Sequence, residues 1–439
     1  MAPAQPDRLK LSPSFRRLAL LLLLLHGGMG LRTAAISITS GEIYNKDFIS
    51  PWLMARATLA GVDPYLPLNE LAEIFLPHAR YDHFTHPTPH TPIMGLLFLP
   101  FGLLPYEAAA AAWLLFELVL LGGALIFFLR WWGAPRTGGR LLLLAVLACG
   151  WRPLVEDLWF GQVTLLLLLL LTGAWHFLET KREARGGLFL GGLMAIKFIG
   201  WPILLYLLAR RRWRSVGAAL AVVVAANLLA AAVLGADRVA TYYTKVGPAV
   251  GRLYRLHDYN YSAWALGGKA FEGGGHYHRI APLVRAPRLA AIATVLAPGL
   301  ALLCGLGLCL RRRGDDLAFA VLPGVSILVT PVAWPHYTLL LTIPLLLLAR
   351  RLRDLGWPRR ATLAALGLFA AASWSSAFYN VAAGAFVGRD VPFHIGALNL
   401  LPAFAVIGFA ALFLRLESRE AAAWADPAAA NSETAVRYA

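Results

Sequence analysis

Five apolar runs, at about 18–38, 106–129, 215–234, 288–310 and 395–414, decide what this chain can fold into. Each is long enough to cross a bilayer as a helix, which takes roughly 17 to 25 residues. With 59% hydrophobic and 15% charged residues, the chain cannot solvate the surface of a soluble domain. Lipid is its solvent. In lipid each backbone N–H and C=O must be satisfied internally, so the sequence predicts an all-α polytopic membrane protein. Shorter runs at 140–155, 163–178, 317–330, 337–349 and 361–378 are separated by polar or proline-rich turns and read as short, tilted or shielded spans. Counted with the long runs, they predict a bundle of about 10 to 13 transmembrane helices.

A net charge of +16 would point to nucleic acid in a soluble protein, but here Lys and Arg cluster between the apolar runs. They report topology, and no nucleic-acid partner is expected. The clusters Arg8 to Arg17, Arg130 to Arg140, Lys181 to Arg185, Arg210 to Arg214, Arg311 to Arg313, Arg350 to Arg360 and Arg415 to Arg419 are assigned to the cytoplasm by the positive-inside rule. The chain then divides into a cytoplasmic N-terminus (1–17), a membrane domain (18–414) and a cytoplasmic tail (415–439). The segments at about 39–105, 152–162, 235–287, 331–336 and 379–394 fall on the opposite side. Arg16 and Arg17 before Leu18 to Leu25 have the look of a signal peptide, but the many later spans favour a retained first helix.

Two segments break the alternation. Pro92 to Leu104 is apolar but short and proline-flanked, which predicts a re-entrant or interfacial segment. Residues 186–209 lie between two basic clusters and are interrupted at Lys197, Gly200 and Pro202, which predicts half-helices meeting at depth. Cys149, Cys304 and Cys309 form no C-x-x-C pair, so no disulfide is expected.

The polar residues with chemical potential gather on the side away from the arginines. Asp47 closes the loop Gly41 to Phe48, ahead of an amphipathic stretch ending at Ala60. It reads either as a general base at the membrane surface or as the N-cap of that helix. The segment 241–278 carries Tyr242, Tyr243, Tyr254, His257, Asp258, Tyr259, Asn260, Tyr261 and Trp264, suited to stacking on a sugar and equally to an interfacial belt. His83, His86 and His90 invite a metal reading, but Pro87, Pro89 and Pro92 forbid the helix that such spacing needs. Neither a metal nor a cofactor is expected, and no phosphate-loop or dinucleotide fingerprint occurs.

A series of short motifs carries a resemblance. It runs from Asp47-Phe48 through Gly61-Val62-Asp63-Pro64-Tyr65, then Phe84-Thr85-His86-Pro87-Thr88-Pro89 leading into Pro100-Phe101-Gly102-Leu103-Leu104-Pro105. It continues through Gly161-Gln162-Val163-Thr164, Ala195-Ile196-Lys197, Arg211-Arg212-Trp213-Arg214 and Asn260-Tyr261-Ser262 to Thr330-Pro331-Val332-Ala333-Trp334-Pro335-His336-Tyr337. In order and spacing the chain resembles family 87 of the glycosyltransferases, multi-spanning enzymes of the GT-C superfold. That family includes bacterial polyprenyl-phosphate-mannose-dependent mannosyltransferases.

The resemblance implies a bacterial inner-membrane enzyme with its site on the extracytoplasmic face. There an acid of the first outer loop, here Asp47, would deprotonate an acceptor hydroxyl while a polyprenyl phosphate leaves with inversion. Mannose is the sugar it implies by default and arabinose the alternative; the acceptor is a glycolipid, glycan or protein. Such a reaction needs positive charge where the phosphate leaves. Lys197 and His336 suit that role, although Lys197 also reads as a snorkelling lysine and His336 as a headgroup-level residue beside Trp334. Asp63, Tyr65, His86, Gln162, His257, Asp258, Asn260 and Trp334 are the expected substrate contacts, Asp63 with a turn-forming alternative and Gln162 with that of a plain helix-entry amide. A secondary transporter or lipid flippase is the competing reading, supported by the half-helices and the buried lysine. Against it, no inverted repeat of interrupted segments occurs.

Overall fold

The structure, a computed structural model, describes residues 12–39, 41–78, 84–312 and 314–425. His83, Arg313 and the two ends of the chain (1–11 and 426–439) lie outside the described residues. Among the described residues there is no strand, only isolated bridges such as Pro67 with Pro87.

Helix α1 (Pro13–Thr39) leads through a 3-10 turn at Gly41–Asn45 to α2 (Ile49–Ala60) and α3 (Leu68–Phe75). A proline-broken pair, α4 (Pro92–Leu97) and α5 (Leu99–Gly102), precedes α6 (Tyr106–Trp132). Then come α7 (Gly138–Ala148), α8 (Arg152–Phe160), α9 (Thr164–Glu179), α10 (Glu183–Ile196), α11 (Trp201–Ala209) and α12 (Trp213–Leu234). The aromatic-rich segment holds α13 (Ala236–Thr241), α14 (Gly247–Leu253) and α15 (Ala263–Phe271). It is followed by α16 (Pro287–Arg311), α17 (Asp315–Leu328), a 3-10 stretch at Pro335–Leu341, α18 (Thr342–Asp354), α19 (Arg359–Ala383), α20 (Phe393–Gly396) and α21 (Leu401–Ala425).

Among the described residues, six stretches are long and apolar enough to cross a membrane: α1, α6, α12, α16, Arg359–Phe386 and Phe393–Ser418. The protein is therefore a multi-pass membrane protein. The run at 361–378, read as short, is a full-length helix, α19. Its serines interrupt the apolar run in the sequence, yet two of them are satisfied inside the bundle: Trp151 donates to Ser373 Oγ at 2.8 Å, and Ser376 bonds Arg152 and Glu156. The segment 152–162, read only as lying beyond the membrane, is mostly helical. α7 and α8 both pack against α1, where Gly27 and Gly30 let the backbones touch; a Cβ there would fall 1.9 Å from Val146 O and 1.7 Å from Cys149 O.

The segment 186–209 is broken where the sequence says, and 92–104, for which no internal break was expected, is broken at Phe98. Prolines split 92–102 into α4 and α5. Lys197 is extended and Gly200 left-handed between α10 and α11, and the carbonyls freed at the break, Ala195 O and Ile196 O, each accept Thr91 Oγ1 at 2.9 Å. Helix α2 corrects an expectation: it is buried around most of its circumference instead of being amphipathic. It lies under α3, α4 and α5, and its one charge, Arg56, sits over Trp52 and Phe75 and donates to Gly102 O. Phe48, Phe98 and Trp113 stack into the same core, with Phe98 and Trp113 at 4.6 Å, and so anchor the residue after Asp47. Burying a phenyl ring stabilises by roughly 2 to 3 kcal/mol, enough to fix this corner.

Candidate functional site

Asp47 does not cap α2. No side chain caps that helix, and the Asp47 carboxylate instead accepts Gln162 Nε2 at 2.6 Å. Gln162 holds its place because Gly161 ends α8 in the left-handed conformation and Gln162 N–H closes on Asp157 O at 2.9 Å. Asp157 caps the next helix, its carboxylate accepting Thr164 N and Leu165 N. The other end of the Gln162 amide meets Lys197, whose Nζ lies 3.4 Å from Oε1 and 4.6 Å from the ring centre of Tyr337. A partly buried acid and a partly buried cation thus face each other through one amide. Burial pushes the Asp47 carboxyl above its usual range, while the Gln162 hydrogen bond, Lys197 and Lys46 act in the opposite direction.

Two histidines border Lys197. His336 is buried with Nε2 unpartnered and its ring against Tyr337 at 4.8 Å. His90 is buried with Nδ1 unpartnered, and burial, with Lys197 adding to it, pulls its ring down to about 3, so it is neutral. Lys197 does not snorkel, because it is turned into this polar pocket. Beneath it is a cavity of about 390 Å³ walled by Leu154, Leu165, Leu168, Leu339 and Leu346 among others, together with Trp132 and Thr342. Its walls follow the polar residues along the chain: Leu165 and Leu168 of α9 come three and six residues after Gln162, and Leu339 comes one 3-10 turn after His336, where i and i+3 eclipse.

Above the acid stands an aromatic cluster. Trp334 meets His257 at 4.7 Å and Tyr254 at 5.5 Å; His257 stacks on His276 at 5.0 Å and meets Tyr277 at 5.3 Å. Tyr254 and Tyr277 both feel the charge of Asp47, which places them across from it. His86 joins them: its Nδ1 bonds Pro87 O at 2.8 Å, which leaves Nε2 to accept the Tyr254 hydroxyl at 2.7 Å.

Asp258 and Asn260, expected to contact substrate, are spent on the loop itself. Asp258 accepts the backbone N–H groups of His276, Tyr277 and His278 and the hydroxyl of Tyr379, and these hold its carboxyl below the usual range against the cost of burial. Asn260 donates to Tyr254 O, Arg255 O and Pro331 O and accepts Ser262 N and Ala333 N. Both fasten the aromatic cluster. Asp63 forms the turn, accepting Tyr65 N at 3.0 Å, and pairs with Arg238 at 3.8 Å. Tyr65 donates to His90 O, so it holds the His90 segment.

Lys46 and Glu117 were not among the residues singled out from the sequence, and His90 was weighed only as a metal ligand. Glu117 is fully buried in α6 with neither oxygen bonded, and an acid inside a membrane run is a readable signal of function. Lys46 carries no such mark.

An acid poised against a cation under an aromatic roof, above an apolar cavity, fits a membrane-embedded group-transfer enzyme. Residues 88–333, more than half of the chain, match glycosyltransferase family 87, and the chain belongs to that family. It is a glycosyltransferase, which sets the transporter reading aside. No curated protein and no solved structure matches it. The matched span begins after Asp47 and ends before Trp334 and His336, so these three stand on geometry.

Proposed function

We propose that the protein moves a sugar, mannose by default, from a polyprenyl-phosphate carrier to an acceptor hydroxyl on the extracytoplasmic side of a bacterial inner membrane. The observation that carries this reading is the Asp47–Gln162–Lys197 chain, because it sets a base and a cation on either side of one small gap. The acceptor oxygen attacks the anomeric carbon as its proton passes to Asp47. The bond from that carbon to the phosphate oxygen breaks, its electron pair stays on the phosphate, and the anomeric configuration inverts. Lys197 meets the growing negative charge, with His336 and His90 as neighbours able to donate a hydrogen bond.

The apolar cavity below Gln162 and His336 supports a lipid-borne donor, since a prenyl chain entering from the bilayer fills it without desolvating anything polar. Tyr254, Trp334 and His257 supply faces on which a sugar stacks. No step calls for a metal, and glycolipid, glycan and protein acceptors all offer the required hydroxyl.

The test incubates purified protein in liposomes with a set of radiolabelled polyprenyl-phosphate sugars and membrane extract as acceptor. Labelled product from one of them, with the anomeric configuration inverted, is expected. No transfer from any lipid-linked sugar, or retention of configuration, contradicts the proposal.

A further inference from the structure

Lys46 is only 2% exposed, yet it stands outside the Asp47–Gln162–Lys197 chain. A buried ammonium is costly unless its protons are bonded, so its partners show what it is for. Nζ donates to Ser37 Oγ at 2.7 Å, to Leu158 O at 3.2 Å and to Trp159 O. Ser37 belongs to the last turns of α1. Leu158 and Trp159 present carbonyls of the last turn of α8, an end that favours a cation.

The other flank of Asp47 is tied to the same helix end, with Phe48 N–H donating to Phe160 O at 3.0 Å. Gly161 makes the approach possible: a Cβ there would lie 2.8 Å from Phe48 Cβ and 3.4 Å from Lys46 Cε. Residues 46, 47 and 48 are thus each fastened within 158–162, and Asp47 meets Gln162 because its two neighbours are docked.

We propose that Lys46 is a positioning residue for sugar transfer: its ammonium clamps the end of α8 to α1 and so sets the Asp47–Gln162 contact at which the acceptor gives up its proton. This rests on the reading of Asp47 as the base. The carboxylates facing the ammonium are Asp47 from its own loop and Glu117 from α6, and Asp157 of α8 in turn bears on Glu117. Burial pulls Lys46 down to about 8, with Glu117 and Asp47 opposing the shift. Above that value the clamp loses its charge and one donor, and the site loosens.

The experiment compares wild type, Lys46→Arg and Lys46→Met, each purified and quantified as folded protein in liposomes, for kcat and donor KM as pH is raised through about 8. Wild-type kcat is expected to fall through this range, and Lys46→Arg, always charged, to remain active through it. Lys46→Met should lose about 100-fold in kcat at every pH with donor KM within about twofold, the cost of a small misplacement of the base. Wild-type kcat in folded Lys46→Met, or the same alkaline fall in Lys46→Arg, overturns the proposal.

An infrared titration of the Asp47 carboxyl, assigned against Asp47→Asn, separates this claim from the reading beneath it. If wild type transfers no sugar, the Asp47 reading fails, yet the clamp still predicts that Asp47 titrates at higher pH in Lys46→Met. An unmoved titration overturns the clamp.

Discussion

Two clusters of partly buried charges lie at opposite ends of α9 and α10, and they are built differently. At one end Arg212 donates to both oxygens of Glu183 at 2.8 and 2.9 Å, to Asp315 at 2.8 Å and to Leu178 O at 3.2 Å, while Lys181 reaches Asp315 at 3.1 Å. Each of these charges touches its opposite, so the knot ties α9, α10, α12 and α17 together. At the other end Asp47 and Lys197 are kept apart by Gln162, and Glu117, His90 and His336 keep atoms without partners. Charges in contact hold helices; charges held apart are available to a ligand. Buried unpaired groups cost stability, and proteins tolerate that cost where chemistry needs it.

The sharpest way to break this comparison is at Asp47. Asp47→Asn should lower transfer by about 1000-fold, the size of a lost general base, measured as product per folded protein. Because burial raises the Asp47 value in the folded state, its contribution to stability is present in acid and is lost as pH rises through that raised value. The Asn variant should therefore melt higher than wild type at neutral pH. Lys197→Met should cost about 100-fold in kcat, as for a lost transition-state donor, with the protein still folded.

Arg212→Met tests the other end. It should leave Glu183 without its cation and Asp315 with Lys181 alone, and destabilise by about 2 kcal/mol in denaturant melts, with kcat per folded molecule unchanged. A subtler effect is in pH. Transfer should rise with pH through a midpoint above the ordinary carboxylate range, and Gln162→Leu should move that midpoint further up, because the Gln162 hydrogen bond favours the carboxylate. Smallest is Tyr254→Phe, which removes the hydroxyl bonded to His86 but keeps the ring, and should change KM by about threefold with little change in kcat, in line with the modest worth of one neutral hydrogen bond.

Much of this was legible in the sequence. Long apolar runs gave the five expected spans, and Lys197 with Gly200 marked the break between α10 and α11, because both signals are local. The serines of α19 made a sixth span read as short, since their partners, Trp151 and Arg152, lie far away in the chain. Asp47, Gln162, Lys197 and His336 were singled out from separate segments, and the fold brings the first three into one chain with His336 at its side. Asp258 and Asn260 bond their own loop, a role the sequence did not show because aromatic-rich polar segments serve a loop's own backbone as readily as a sugar. Lys46 was illegible: only the docking of α8 against α1 reveals that a lysine beside an acid is buried.

The most direct test of the contrast between the two ends measures single-turnover transfer from a labelled polyprenyl-phosphate sugar by wild type, Asp47→Asn and Arg212→Met side by side, per folded molecule. The account predicts a folded, inactive Asp47→Asn protein and an unstable Arg212→Met protein whose folded fraction turns over like wild type. An active Asp47→Asn, or a stable Arg212→Met that has lost transfer, would contradict it.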